Sequence, residues 1–139
     1  MEKFLYFRNV TAVADDDNIE DSVTFKASKL IGMFPSGDSE LKLTFDPIQR
    51  PSDTGVAGAV DNAANLPLVD TVLLNVTANS HREVMQAIAG ALNSAGAIND
   101  PFIVVADDAT DDNNASAITL HANITSCGTI THNAAFTNA

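Results

Sequence analysis

The stretch Val69-Asp70-Thr71-Val72-Leu73-Leu74-Asn75-Val76-Thr77, followed by Ser80-His81-Arg82-Glu83-Val84-Met85-Gln86-Ala87-Ile88-Ala89-Gly90-Ala91-Leu92, switches from a period of two to a period near 3.6. Val72, Leu74 and Val76 project to one side, as in a strand with one buried face, while Leu73 gives the second face some apolar character. The tract after Ser80 reads as an amphipathic helix over about 80–95. Ser80 with Glu83 three positions later has the form of a capping box, which would satisfy two free N–H groups at the helix start. Val84, Met85, Ile88, Ala89 and Leu92 form the expected stripe, and Gly96 is the expected stop. Four turns with such a stripe need a sheet to lie on.

Working outward, most of the remaining periodic segments read as strands. Lys3–Val13 is rich in aromatic and β-branched residues, and Ser22–Lys26 is a short second strand. Lys29–Phe34 and Glu40–Phe45 flank Pro35-Ser36-Gly37-Asp38 and read as a hairpin. Pro101–Ala106 is apolar on both faces, as a central strand is. Its position after the helix allows a parallel crossover, although the hairpins favour a mainly antiparallel or mixed sheet. Ala117–Thr125 alternates with Ile118, Leu120, Ala122 and Ile124 inward. A turn at Ser126-Cys127-Gly128 would return the chain along a last strand from Thr129 to about Phe136. The expected fold class is α+β: a barrel- or sandwich-like sheet structure with one helix. It forms one domain over residues 1–139, with a long irregular excursion at about 47–68.

Composition narrows the function classes. The chain has 139 residues, enough for one core without disulfide or metal staples. Its charged fraction is 18%, against roughly 25% in ordinary soluble domains. Asn, Thr and Ser must therefore supply much of the polar surface, a pattern suited to faces covered by other subunits. Seven basic against eighteen acidic residues give a net charge of −11. Phosphate backbones need a basic face, so nucleic acid is not an expected partner, and anionic membranes are disfavoured by the same charge. Met1–Phe7 is apolar but short and lacks the layout of a signal peptide, and no run reaches the length of a membrane span. The single Cys127 has no internal disulfide partner.

Candidate chemistry is sparse. His121 and His132 fall on the two arms of the expected final hairpin, with Cys127 in its turn, and all three are zinc-type ligands. A two-residue turn would leave the imidazoles as diagonal neighbours. A three-residue loop, which pairs Ile124 with Ile130, sends them to opposite faces. Oxygen ligands cluster at Asp15–Asp17 with Asn18 and Glu20. They cluster again in the loop 107–114, where Asp107, Asp108, Asp111 and Asp112 are the calcium candidates. Neither run has the alternating spacing, central Gly and closing Glu of the helix–loop–helix calcium site. No Gly-x-Ser-x-Gly elbow is present, and Gly55-Val56-Ala57-Gly58 lacks the Gly-Lys-Ser/Thr of a phosphate loop. No catalytic residue and no cofactor are expected, and the chain reads as a non-enzyme.

Four tracts resemble a pattern in small proteins of marine tailed bacteriophages. They are Asp70–Thr77, Glu83–Ile88, Pro101–Asp108 and Ala122–Thr125, together spanning residues 69–125. That family is largely uncharacterised and is associated with the virion. The resemblance implies a structural or accessory virion protein that forms homo-oligomers and docks to other virion proteins, after assembly in the host cytoplasm. It carries no chemical motif, so it transfers no site residue. A small binding module for calcium or a small ligand, using the loop 107–114, is the alternative.

Overall fold

Apolar alternation along Leu41, Leu43 and Phe45, and along Val72, Leu74 and Val76, lays two neighbouring strands on one core. The computed structural model describes residues 2–48, 68–93, 101–111 and 116–135. In chain order the elements are β1 (Phe4–Arg8), β2 (Ser22–Lys26), β3 (Leu30–Gly37), β4 (Glu40–Phe45) and β5 (Leu68–Val76). They continue with α1 (His81–Asn93), β6 (Phe102–Asp107), β7 (Ile118–Thr119) and β8 (Ile124–Ala135). The fold is α+β and rich in strand, as the alternation implies. Among the described residues there are two four-stranded sheets, ordered β2-β1-β6-β7 and β3-β4-β5-β8. The first is mixed, with β1 antiparallel to β2 and parallel to β6. The second is antiparallel throughout. The expected excursion lies, from residue 49 to residue 67, outside the described residues.

Both sheets contribute to one apolar cluster. Phe7 of β1, Phe25 of β2 and Phe45 of β4 meet at its centre. Phe25 and Phe45 stack at 4.0 Å and 4°, and Phe7 meets Phe45 edge-on at 5.9 Å. Such ring pairs add about 0.5–1.5 kcal/mol each beyond the area they bury. They also bridge the two sheets, because Phe45 belongs to one and its partners to the other.

The helix starts within a residue of its expected position, but its details differ. Its buried line is Val84, Ile88 and Ala91, with Met85 and Leu92 partly buried, whereas Ala89 is exposed. The stripe is therefore rotated toward Ala91. The Ser80 hydroxyl donates to the Thr77 carbonyl rather than entering a reciprocal pair with Glu83. The tight turn before the helix, with Asn79 at a φ of 66°, folds that hydroxyl back. Gly96 lies outside the described residues. The helix links β5 in one sheet to β6 in the other, so this strand–helix–strand unit is not a crossover within one sheet. Both helix ends are tied down. The His81 Nε2 faces the Gly37 and Glu40 carbonyls at 2.8 and 3.0 Å, and the Lys3 Nζ donates to the Ala91 carbonyl at 2.7 Å.

The C-terminal hairpin is corrected. Residues 124–135 form one continuous strand, and the chain turns earlier, at His121–Asn123. The Ser126-Cys127-Gly128 segment, expected as the loop, runs along β5 instead. Its glycine serves a close backbone approach. A Cβ on Gly128 would stand 2.8 Å from the Leu73 carbonyl oxygen and 3.1 Å from the Leu73 Cβ. Pairing of Val72 with Ile130 and of Leu74 with Cys127 makes β8 spend one extra residue here. The same happens between Val69 and Thr71 and between Asn75 and Val76, so β8 carries three irregularities against a regular β5. Each such bulge bends and twists its strand. The curled β8 then passes beside β6 and β7 at the margin of the first sheet.

Candidate functional site

Two groups of polar side chains penetrate the apolar interior. The first centres on Arg8, at the end of β1. Its Nε donates to Asp107 Oδ1 at 2.7 Å and its Nη2 to Asp107 Oδ2 at 2.8 Å, a two-pronged ion pair joining the neighbouring strands β1 and β6. Asp107 is 6% exposed. Arg8 Nη1 also reaches Asp16 at 3.4 Å, and the Arg8 guanidinium lies over the Tyr6 ring. The hydrogen bond to Asp107 raises the arginine pKa further, so the charge is fixed. Burial raises the Tyr6 pKa, against the lowering effect of Arg8. Asp16 in turn accepts the Ser22 hydroxyl at 2.6 Å.

The second group lies at the far end of β5 and β8. Asp70 is 0% exposed, yet it has three donors or ring contacts. Its Oδ1 accepts the Asn133 N–H at 2.9 Å, and its Oδ2 accepts the Ile48 N–H at 3.1 Å. His132 Nδ1 lies 2.9 Å from the same Oδ2. Asn133 adopts a φ of 55°, a left-handed conformation that fits the local bulge and aims its N–H at the carboxylate. The other ring nitrogen, His132 Nε2, lies 2.7 Å from the Ile19 carbonyl. Beside the imidazole opens a cleft of about 280 Å³ lined by Ile19, Ser22, Val23, Ile48 and His132.

Ser22, His132 and Asp70 have the residue types of a nucleophilic triad but not its arrangement. A triad needs the serine hydroxyl on the imidazole. Here the Ser22 hydroxyl donates to Asp16, and the imidazole nitrogen turned away from Asp70 faces the Ile19 carbonyl.

Of the four calcium candidates, the three that are described do not converge. Asp107 is held by Arg8 and accepts the Ala109 N–H. Asp108 accepts the Cys127 N–H with both oxygens, and Asp111 accepts the Val13 N–H. Asp112 lies outside the described residues. Among the described residues no group of three His, Cys, Asp or Glu side chains is placed to hold a metal ion. The N-terminal acidic run is likewise engaged locally: Asp21 accepts the Asp17 N–H and Asn18 accepts the Ile19 N–H.

The two histidines, which the three-residue loop already sends to opposite faces, lie apart, although the chain turns earlier than expected. His121 sits in the turn before β8 and accepts the Asn123 N–H through Nδ1, far in role from His132 on Asp70. Cys127 is buried, and desolvation, with Asp108 and Asp107 nearby, pushes its thiol up to about 12. At neutral pH it stays a protonated thiol and not a nucleophile. Burial also raises the Asp108 carboxyl above its ordinary value, opposed by the Cys127 N–H.

Sequence reasoning missed Arg8 and Asp70. A carboxylate interrupting the apolar face pattern of a strand at Val69-Asp70 was the available signal. Its partner lies 62 positions away, and only the bulged register of β8 brings His132 to it. Comparison with protein-family models, with curated proteins and with solved structures finds no match. No helix among the described residues is long and apolar enough to cross a membrane.

Proposed function

We propose that this chain is a non-enzymatic structural or accessory protein of a phage-type virion, acting by self-association and by docking to other virion proteins. The observation that carries the reading is β3, the outermost strand of the second sheet among the described residues. β3, Leu30-Ile31-Gly32-Met33-Phe34-Pro35-Ser36-Gly37, has eight residues and no charge, and it is an edge strand. Ile31 is 58% exposed and Phe34 44% exposed. Edge strands that stay unpaired are usually guarded by charged side chains, and β3 has none. Pro35 and the register shifts at Ile31 and Ser36 do limit direct strand addition. Side-chain packing on Ile31 and Phe34 is therefore the mode of contact that this edge favours. The low charge density and the resemblance of residues 69–125 support the same reading, in which the protein acts in a particle assembled in the host cytoplasm.

Size-exclusion chromatography with light scattering tests this. Assemblies larger than a monomer are expected at high protein concentration. The double variant Ile31→Lys/Phe34→Lys should weaken association at least about tenfold, equivalent to about 1.4 kcal/mol. A wild-type chain that stays monomeric at the highest attainable concentration overturns the reading.

A further inference from the structure

We propose that the outer edge of β2 is a self-complementary pairing surface, on which a second copy of this chain adds its own β2, antiparallel, about a two-fold axis at Thr24. This contact rests on the self-association proposed above and is separate from the one on β3.

The backbone of β2 is engaged on one side. Its register with β1 pairs Ser22 with Arg8 and Lys26 with Phe4. Just beyond the two ends, the Asn9 N–H donates to the Asp21 carbonyl and the Ala27 N–H to the Lys3 carbonyl. Hydrogen-bonded pairs alternate along an antiparallel ladder, so residues 21, 23, 25 and 27 face β1. Ser22, Thr24 and Lys26 turn their N–H and C=O groups the other way, and among the described residues no strand lies beyond β2. Such a row is a template for another strand. A two-fold axis must set members of this trio against each other. The register centred on Thr24 engages all of them: Thr24 meets Thr24 of the second copy, and Ser22 meets Lys26 on both sides of the axis. Each facing pair exchanges two backbone hydrogen bonds.

The side chains fit a second copy of this chain in that register. A lysine on an edge strand ordinarily repels newcomers. Here Lys26 stands opposite Ser22, whose hydroxyl is bonded to the Asp16 carboxylate, with Glu20 two residues further along. Lys29, in the turn after β2, extends the basic end. The basic end of each strand therefore meets the acidic end of the other. Thr24 opposite Thr24 is a favourable cross-strand pair. On the core side, Ile19 and Ile48 are 63% and 55% exposed. Ile48 lines two clefts along β2, of about 280 and 390 Å³, and Ile19 lines the first of them. An added strand shields these apolar side chains from water. Each copy carries a net charge of −11, so association is read at moderate ionic strength. At about 0.15 M salt the Debye length is about 8 Å, which screens repulsion between whole molecules more than contacts at the strand.

Thr24→Cys, with the buried Cys127 left in place, is oxidised mildly in such a buffer. A hydrogen-bonded antiparallel pair sets its Cα atoms about 5.5 Å apart, within the span of a disulfide. A disulfide-linked dimer is expected, whereas Ser28→Cys, also exposed but away from the axis, should stay unlinked. Thr24→Lys sets like charges face to face on the axis and should weaken association in light scattering at least about tenfold. Linking that does not favour Thr24→Cys over Ser28→Cys, or no linking of either, overturns the proposal. So does wild-type association that Thr24→Lys leaves unchanged and Ile31→Lys/Phe34→Lys abolishes, an outcome that leaves the self-association itself standing. A wild-type chain that stays monomeric overturns both.

Discussion

At the scale of single residues, the interior polar groups differ in how much they depend on one partner. Asp107 is nearly buried and is neutralised by both prongs of Arg8. Removing the arginine leaves a charge inside the protein, and breaking a buried pair in this way costs about 3–5 kcal/mol. Arg8→Met should therefore lower stability by that order in urea unfolding. Arg8→Met/Asp107→Asn should recover much of the loss, since Asn can still accept the Ala109 N–H. Asp108 behaves in the opposite sense. Its raised pKa means that folding disfavours its charged form, so the penalty is present at neutral pH, shrinks as pH falls through the raised value and is gone below the ordinary carboxylate value. Asp108→Asn keeps an acceptor for the Cys127 N–H. It should raise Tm at pH 7, by no more than about 1 kcal/mol of stability, and the gain should shrink as the solution is acidified.

Among the elements, β8 is where sequence and structure part company. Regular alternation made β2, β4 and β5 legible to within a residue or so, because a strand with one buried face writes its period into the chain. β8 breaks its period three times, and each extra residue shifts every later side chain to the other face. The glycine at 128 was read as a turn because turns and close backbone contacts both select a residue without a Cβ. Asp70 and His132 were invisible as a pair for the same reason, since their meeting depends on the slipped register. The separate partners of Asp107, Asp108 and Asp111 were not legible either, since adjacency in sequence does not aim carboxylates at a common point. Gly128→Ala is the direct test of the bulge. With backbone at 2.8 Å from the new methyl group, β5 and β8 must separate locally. A loss of about 1–3 kcal/mol is expected from overpacking of this kind, read as a lower urea midpoint.

For the whole molecule, the fold class was legible and the division of strands between sheets was not. Hydrophobic period states that a strand has an inward face, but it does not name the neighbour. The β5–α1–β6 order allows a crossover within one sheet, yet the two strands lie in different sheets. What joins those sheets is the Phe7, Phe25 and Phe45 cluster, whose members come from three separate strands. The pairing of β1 with β6 has a consequence for synthesis. Phe4 lies beside Phe102, so β1 acquires its parallel neighbour only after about a hundred further residues have been synthesised. β3, β4 and β5 can pair in turn as they emerge, whereas β1 and β2 remain a two-stranded ribbon, which is marginal in water. The edge of β1 that faces β6 is thus completed late, and it stays unpaired on the nascent chain until residues 102–107 have been made.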